Sequence, residues 1–173
     1  MEYLILAGSN LNNPTERLAE AVRRCSEAGL PPVRSSALYF SPSWGFESPY
    51  IFFNQAHVVD SGLAPPEVLK ILLQIELEMG RHRLRQAGYQ DRTIDLDILM
   101  LPEKTFRNAH LEIPHPRLHL RRFALVPAAE LAPHWRHPVL NRTLAELLQQ
   151  CPDQGPVKPW QAFKPSGLPP SFL

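Results

Sequence analysis

Cysteine is scarce: two in 173 residues, Cys25 and Cys151, far apart in sequence and in no CxxC or Cys/His zinc pattern. That speaks against a disulfide framework and against a structural zinc site, and the two read as free thiols of a reducing compartment. Charge of one sign is also missing, because 18 Lys and Arg meet 17 Asp and Glu. A near-neutral chain has no global field for wrapping nucleic acid or coating an anionic membrane, so any polyanion must be met locally. Long apolar runs are absent too. The N-terminal "YLILA" is too short and lacks the charged flank of a signal peptide, and nothing approaches the roughly 20 apolar residues of a membrane span. These absences predict a soluble, cytoplasmic protein with no nucleic-acid and no membrane partner. The length suits one domain able to bury a core without staples, and a monomer is expected.

What is present follows a clear order. "EYLILAGSNL" reads as a strand stopping at Gly8-Ser9-Asn10. Asn12, Asn13 and Pro14 then start a helix in which Leu18, Ala21, Val22 and Cys25 recur at helical spacing, and Gly29 stops it. "PVRSSALYF" and "YIFFNQAHVVD" predict a second and a third strand around the turn-rich, aromatic "SPSWGFESP". "APPEVLKILLQIELEMG" is the clearest helix, with prolines at its start, a stripe of Val68, Leu72, Ile75 and Met79, and Gly80 to end it. A polar loop, "RHRLRQAGYQDR", leads to a strand in "DRTIDLDILML". The order βαββαβ predicts an α+β, ferredoxin-like core, an antiparallel sheet with both helices on one face. A short helix is expected around "TLAELLQQC". The domain is taken to span 1–155, with 156–173 a proline-rich C-terminal tail of little secondary structure.

Chemistry concentrates in a few places. Asp95 and Asp97 fall on one face of the last strand, about 6.6 Å apart at roughly 3.3 Å of rise per residue, while Ile94, Leu96 and Ile98 face the other way. Like charges at a buried edge are costly unless solvated or bridged by a cation, and oxygen-only ligands suit Mg²⁺ shared with substrate phosphates. Arg81, His82, Arg83, Arg85 and Arg92 cluster just before the pair, and guanidinium forks match phosphate oxygens. Gly88 and Tyr89 suit that loop to serve as a lid. His115, set between Pro114 and Pro116 and followed by Arg121, could complete an anion site. Among the aromatics Trp44, Phe46, Tyr50, Phe52, Phe53 and Phe123, most read as core; one or two could sandwich a flat heterocycle whose edge Asn54 reads. From these residues alone the expectation is a Mg²⁺-dependent nucleotide enzyme. A non-catalytic nucleotide- or RNA-binding module on the same fold is the alternative, as is a kinase or nucleotidyltransferase for another small heterocycle.

Five motifs, "GSNL", "IELEMGRHR", "DRTIDLDIL", "IPHPR" and "RRFALVP", stand in one order across roughly residues 3 to 140. In that order and spacing the chain resembles the 6-hydroxymethyl-7,8-dihydropterin pyrophosphokinases of folate biosynthesis. The resemblance implies a ferredoxin-like fold and transfer of pyrophosphate from ATP to the pterin hydroxymethyl oxygen, releasing AMP. It makes Asp95 and Asp97 the ligands of two Mg²⁺ ions and Arg81, Arg83, Arg92, Asp95 and Asp97 the catalytic set. Glu76, Arg81, Arg92, Ile98, His115 and Arg121 would bind ATP. Ser41, Pro42, Trp44, Phe52, Asn54, Asp95 and Phe123 would bind the pterin. The chain departs from the family pattern at Asp91, where proline is frequent, at Tyr89 for tryptophan, at Pro116 for an aromatic and at Phe52 for tyrosine.

Overall fold

The computed structural model of the protein describes residues 1–81 and 91–160. Strand β1 (Glu2–Ser9) shows why the chain must build layers on both sides of a sheet. Tyr3, Ile5 and Ala7 enter one buried cluster, whereas Leu4 and Leu6, pointing the opposite way, enter a second. Helices α1 (Pro14–Glu27) and α2 (Pro65–Glu78) cover the first face with Leu18, Ala21, Val68, Leu72 and Ile75. Helices α3 (Arg122–Leu131) and α4 (Leu144–Gln149) cover the second with Ala124, Leu125, Ala128, Leu144 and Leu147. None of the described helices is long and apolar enough to cross a membrane.

Strands β2 (Pro32–Ser35) and β3 (Tyr39–Ser41) both pair with β4 (Phe52–Asp60), β4 pairs with β1, and β1 pairs with β5 (Asp95–Met100). Every one of these pairs is antiparallel, which gives the ferredoxin-like order expected from βαββαβ. Two small hairpins, β6 (Phe106–Arg107) with β7 (Glu112–Ile113) and β8 (Arg136–His137) with β9 (Arg142–Thr143), and the strand β10 (Lys158–Pro159) complete the described elements.

Three elements differ from the expectation. The predicted second strand is broken after Ser35, because the Ser36 hydroxyl accepts from Ala56 N at 3.0 Å and so replaces a ladder bond with a side-chain one. Glu130 of α3 satisfies the break, accepting from Ala37 N at 3.1 Å and from the Tyr39 hydroxyl at 2.9 Å. Helix α3 is not among the predicted elements, since Pro127 interrupts its run; the helix tolerates the proline because its buried face packs on β4 and β1. Finally, the described part of the region after residue 155 carries one short strand that was not foreseen. β10 pairs with β3, Trp160 N donates to Leu38 O at 2.7 Å, and the Trp160 ring stands edge-on to Phe53 at 4.9 Å. Replacing Trp160 with alanine should therefore cost about 2 kcal/mol, below the full-burial value because the ring is half-buried. Urea unfolding of Trp160→Ala checks this, and an unchanged midpoint would make the strand an ornament.

Candidate active site

Register brings the site together before any loop does. Gly8 pairs with Asn54 on one side and Asp95 on the other, and Leu6 pairs with Ala56 and Asp97. Asn54, Gly8 and Asp95 thus form one row across three strands, with Asp97 in the next row, on the face that α3 covers further along. Gly8 leaves room for the Asn54 amide here: a Cβ would stand 2.8 Å from Asn54 Oδ1 and push it aside. The row forms the floor of a slot walled by Ser41, Pro42, Trp44, Phe46, Phe52 and Phe123, with Arg92, Asp95, Asp97 and Arg121 at its polar end. All seven residues expected to contact a heterocycle line this one cavity. Leu6 and Gly8 also line the slot without having been expected there, and so does Phe46, which the aromatic pattern had picked out but the pterin-binding set had not.

Helix α2 delivers the first arginine. Gly80 adopts φ 86°, Gly80 N donates to Leu77 O at 3.0 Å and Arg81 N to Glu76 O at 2.9 Å, a Schellman turn that folds the chain back over the last helical turn. The Arg81 guanidinium consequently meets the Glu76 carboxylate at 2.5 Å. Glu76 is 1% exposed and also accepts from Leu96 N at 2.8 Å, so it links α2, β5 and Arg81. Arg81 bonds one oxygen of Asp95, and Arg92 bonds the other. Burial works to raise the Asp95 carboxyl, but Arg92 and Arg81 outweigh it and hold it below the usual carboxylate range. Asp97 fares differently. Burial, and then the charge of Asp95, push its carboxyl up to about 7, with Arg121 Nη1 at 3.6 Å opposing them. Arg83 and Tyr89 lie outside the described residues.

On the other side of Asp97 opens a cleft of about 440 Å³, lined by Leu96, Ile98, Leu111, His115, Pro116 and the β6–β7 hairpin. The Ile113–Pro114 bond that enters this segment is cis. His115 N donates to Leu99 O at 2.7 Å, which ties the segment to β5. Arg117 N donates to His115 Nδ1 at 3.1 Å, a contact that asks for the ring proton of the neutral imidazole on Nε2. That Nε2 stands 3.3 Å from Arg121 Nη1. Arg121 can only donate, so this contact asks instead for Nε2 as acceptor, and the neutral ring satisfies one of the two contacts at a time. Burial, then Arg121 and Arg117, hold His115 down to about 4, so it is neutral at pH 7. The Arg121 guanidinium also lies over the rings of Trp44 at 5.3 Å and Phe123 at 5.7 Å, spanning from the cleft side to the slot. The hairpin residues Arg107, Asn108, His110 and Glu112 had no signal in sequence, since polar hairpin tips look alike wherever they fold.

Asp95 and Asp97 are an oxygen-only pair, and among the described residues no group of three or more His, Cys, Asp or Glu gathers to hold a metal by itself. Such a set fits a cation that keeps waters and shares its shell with substrate oxygens, as Mg²⁺ does. The raised Asp97 carboxyl points the same way, since it carries a charge the protein leaves undercompensated.

Comparisons with known proteins identify the family. Residues 4–133 match the family model for 7,8-dihydro-6-hydroxymethylpterin-pyrophosphokinase. A 2-amino-4-hydroxy-6-hydroxymethyldihydropteridine pyrophosphokinase of Pseudomonas aeruginosa is 39% identical over 154 residues, covering 87% of this chain and 92% of that one. The protein of that name from a Synechocystis species is 36% identical over 155 residues, covering 88% and 78%. A Plasmodium falciparum HPPK-DHPS crystal structure superposes with a TM-score of 0.70 at 16% identity, over 86% of this chain and 45% of that one. At that identity the likeness shows the fold, and this chain spans less than half the length of the crystallised protein.

The raised Asp97 carboxyl has a consequence for stability. A carboxyl whose folded value lies above its unfolded one adds stability below the unfolded value, near pH 4, and that contribution is lost as the pH rises through about 7. Above pH 7 the charged Asp97 is a burden on the metal-free fold. Asp97→Asn should therefore match the parent near pH 4 and be about 2 kcal/mol more stable at pH 8, a figure discounted for the partial exposure of the side chain. Urea unfolding in EDTA at both pH values measures it, and a destabilised variant at pH 8 would contradict the assignment.

Proposed function

We infer the chemistry of this protein from one premise: the chain belongs to the 7,8-dihydro-6-hydroxymethylpterin-pyrophosphokinase family. It is an enzyme of folate biosynthesis that transfers pyrophosphate from ATP to the hydroxymethyl group of 6-hydroxymethyl-7,8-dihydropterin, leaving AMP. The observation that carries the reading is that Asp97 borders both the aromatic slot and the polar cleft. A pterin in the first and a nucleotide in the second meet at the acidic pair.

In this reading Phe52, Phe123, Trp44 and Phe46 hold the ring by its faces, and Asn54 with the Ser41–Pro42 backbone reads its edge. Ile98 and its apolar neighbours receive the nucleoside, while His115 Nε2–H and Arg121 donate to the triphosphate. Arg81 and Arg92, already aimed at Asp95, exchange part of that pairing for phosphate oxygens, and Arg83 adds a third guanidinium. Glu76 keeps Arg81 in place. Asp95 and Asp97 would hold two Mg²⁺ ions, which when bound neutralise charge on the triphosphate. The chain's own work is alignment: phosphoryl transfer needs little covalent help from a side chain, and donors held close to the reacting groups stabilise the spreading charge. The reading takes the protein as a monomer, and two free cysteines suit a reducing cytoplasm.

Incubation with ATP, Mg²⁺ and the pterin, followed by chromatography of the nucleotides, tests the reading. AMP should appear only when the pterin is present, and EDTA or Asp97→Ala should abolish it without unfolding the chain. ADP would instead mean an ordinary kinase, and no pterin-dependent product a binding module. Gly8→Ala should raise the pterin KM by about tenfold, the loss of roughly one hydrogen bond as the Asn54 amide is displaced, and leave the ATP KM unchanged.

A further inference from the structure

Loop 42–51 carries Trp44 and Phe46, two rings of the slot wall, and contains no strand or helix. A ten-residue segment without ladder bonds gains much entropy by loosening, so its tethers decide how much of the wall stands before ligand arrives. Two hydrogen bonds shape the loop from within: Ser43 Oγ donates to Phe46 O at 2.6 Å and Tyr50 N donates to Ser48 Oγ at 3.1 Å. Neither attaches it to the body. A hydrogen bond from Ser48 Oγ to Asp91 Oδ1, at 2.6 Å, ties the loop to the chain before β5, beside the ring contacts of Trp44 with Phe123 and of Phe46 with Phe52.

Asp91 is itself firmly seated. The same Oδ1 accepts from Asn10 Nδ2 at 2.6 Å, and Asn10 is 4% exposed. Asn10 grips the backbone one residue further on, its N donating to Arg92 O at 3.2 Å and its Oδ1 accepting from Arg92 N at 2.8 Å. Ser9 Oγ adds a bond to Thr93 O at 2.6 Å. The end of β1 therefore clamps residues 91 to 93, which lead directly into Asp95. A side-chain oxygen fixed in this way is a firm acceptor for a serine hydroxyl.

We infer that Asp91 is a positioning residue whose carboxylate, seated on Asn10, latches Ser48 and so holds Trp44 and Phe46 in the slot wall before any ligand enters. The latch joins the pterin wall to the strand end that carries Arg92 and Asp95, so the two halves of the site keep one geometry. Its catalytic meaning rests on the reading that this slot takes the pterin.

The test uses the full chain with two readouts, steady-state constants and amide hydrogen exchange without ligand. Ser48→Ala should raise the pterin KM about tenfold while kcat and the ATP KM stay within about twofold, and exchange across 42–51 should speed by a similar factor. Asp91→Ala should do the same, and Asp91→Asn, which keeps an oxygen acceptor, should recover most of the loss. The double variant Ser48→Ala/Asp91→Ala should be no worse than Asp91→Ala in pterin KM, as expected for one shared bond. Unchanged exchange across 42–51 in Ser48→Ala, or fully additive losses in the double variant, would overturn the latch. A parent protein that makes no pterin-dependent AMP would overturn the proposed function instead, and the exchange data would then decide the latch by themselves.

Discussion

Two carboxylates on one face of one strand are the constraint around which this molecule is arranged. At a spacing of about 6.6 Å and an effective dielectric constant near 20, Asp95 and Asp97 repel by roughly 2 to 3 kcal/mol before desolvation is added. The protein does not share the relief equally. Asp95 receives Arg81 and Arg92, one on each oxygen, whereas Asp97 has Arg121 at a looser 3.6 Å. One carboxyl is thereby held low and its neighbour is pushed to about 7. The asymmetry leaves a single undercompensated charge at the junction of two cavities, and a cation with a polyphosphate is the natural complement to it. Stability is given up at the position where function needs charge.

Supplying those arginines shapes the elements around them. Gly80 ends α2 with a left-handed residue, the turn sends Arg81 back over Glu76, and the buried Glu76 joins that turn to β5 through Leu96 N. Removing any member leaves a buried charge or donor without its partner, a far larger loss than the net worth of the pairs. The sheet makes the opposite contribution, by absence. Gly8 between Asn54 and Asp95 opens the space into which a flat ring can descend, and the aromatics of loop 42–51 and α3 close over it. Polar groups come from strand ends, cations from a helix end and loops, and the apolar walls from the cover of the second sheet face.

Much of this was legible in residue order. Periodicity located α1, α2, the core strands in chain order and the shared face of Asp95 and Asp97, because period-2 and period-3.6 patterns are local properties of the chain. The spacing of the five motifs carried the family, and with it every slot residue named in advance. Three things escaped. Ser36 breaks its strand by a side-chain bond to a distant backbone, Pro127 sits within a helix that packing on the sheet sustains, and Trp160 makes its strand only by meeting β3 and Phe53.

The sequence by itself determined the alternation that puts two acids on one strand face, the arginines beside them and the helices that bury the opposite side. Only the tertiary structure decided which acid is neutralised and which is left near neutrality, that Gly8 is floor and not merely a turn residue, that His115 meets Arg121, and that Asp91 reaches across to Ser48. The reason is physical. Pattern is written between neighbours in the chain, but charge compensation and hydrogen bonding are settled by distances in space, here between residues 43 positions apart in the latch and 14 in the Arg81–Asp95 pair.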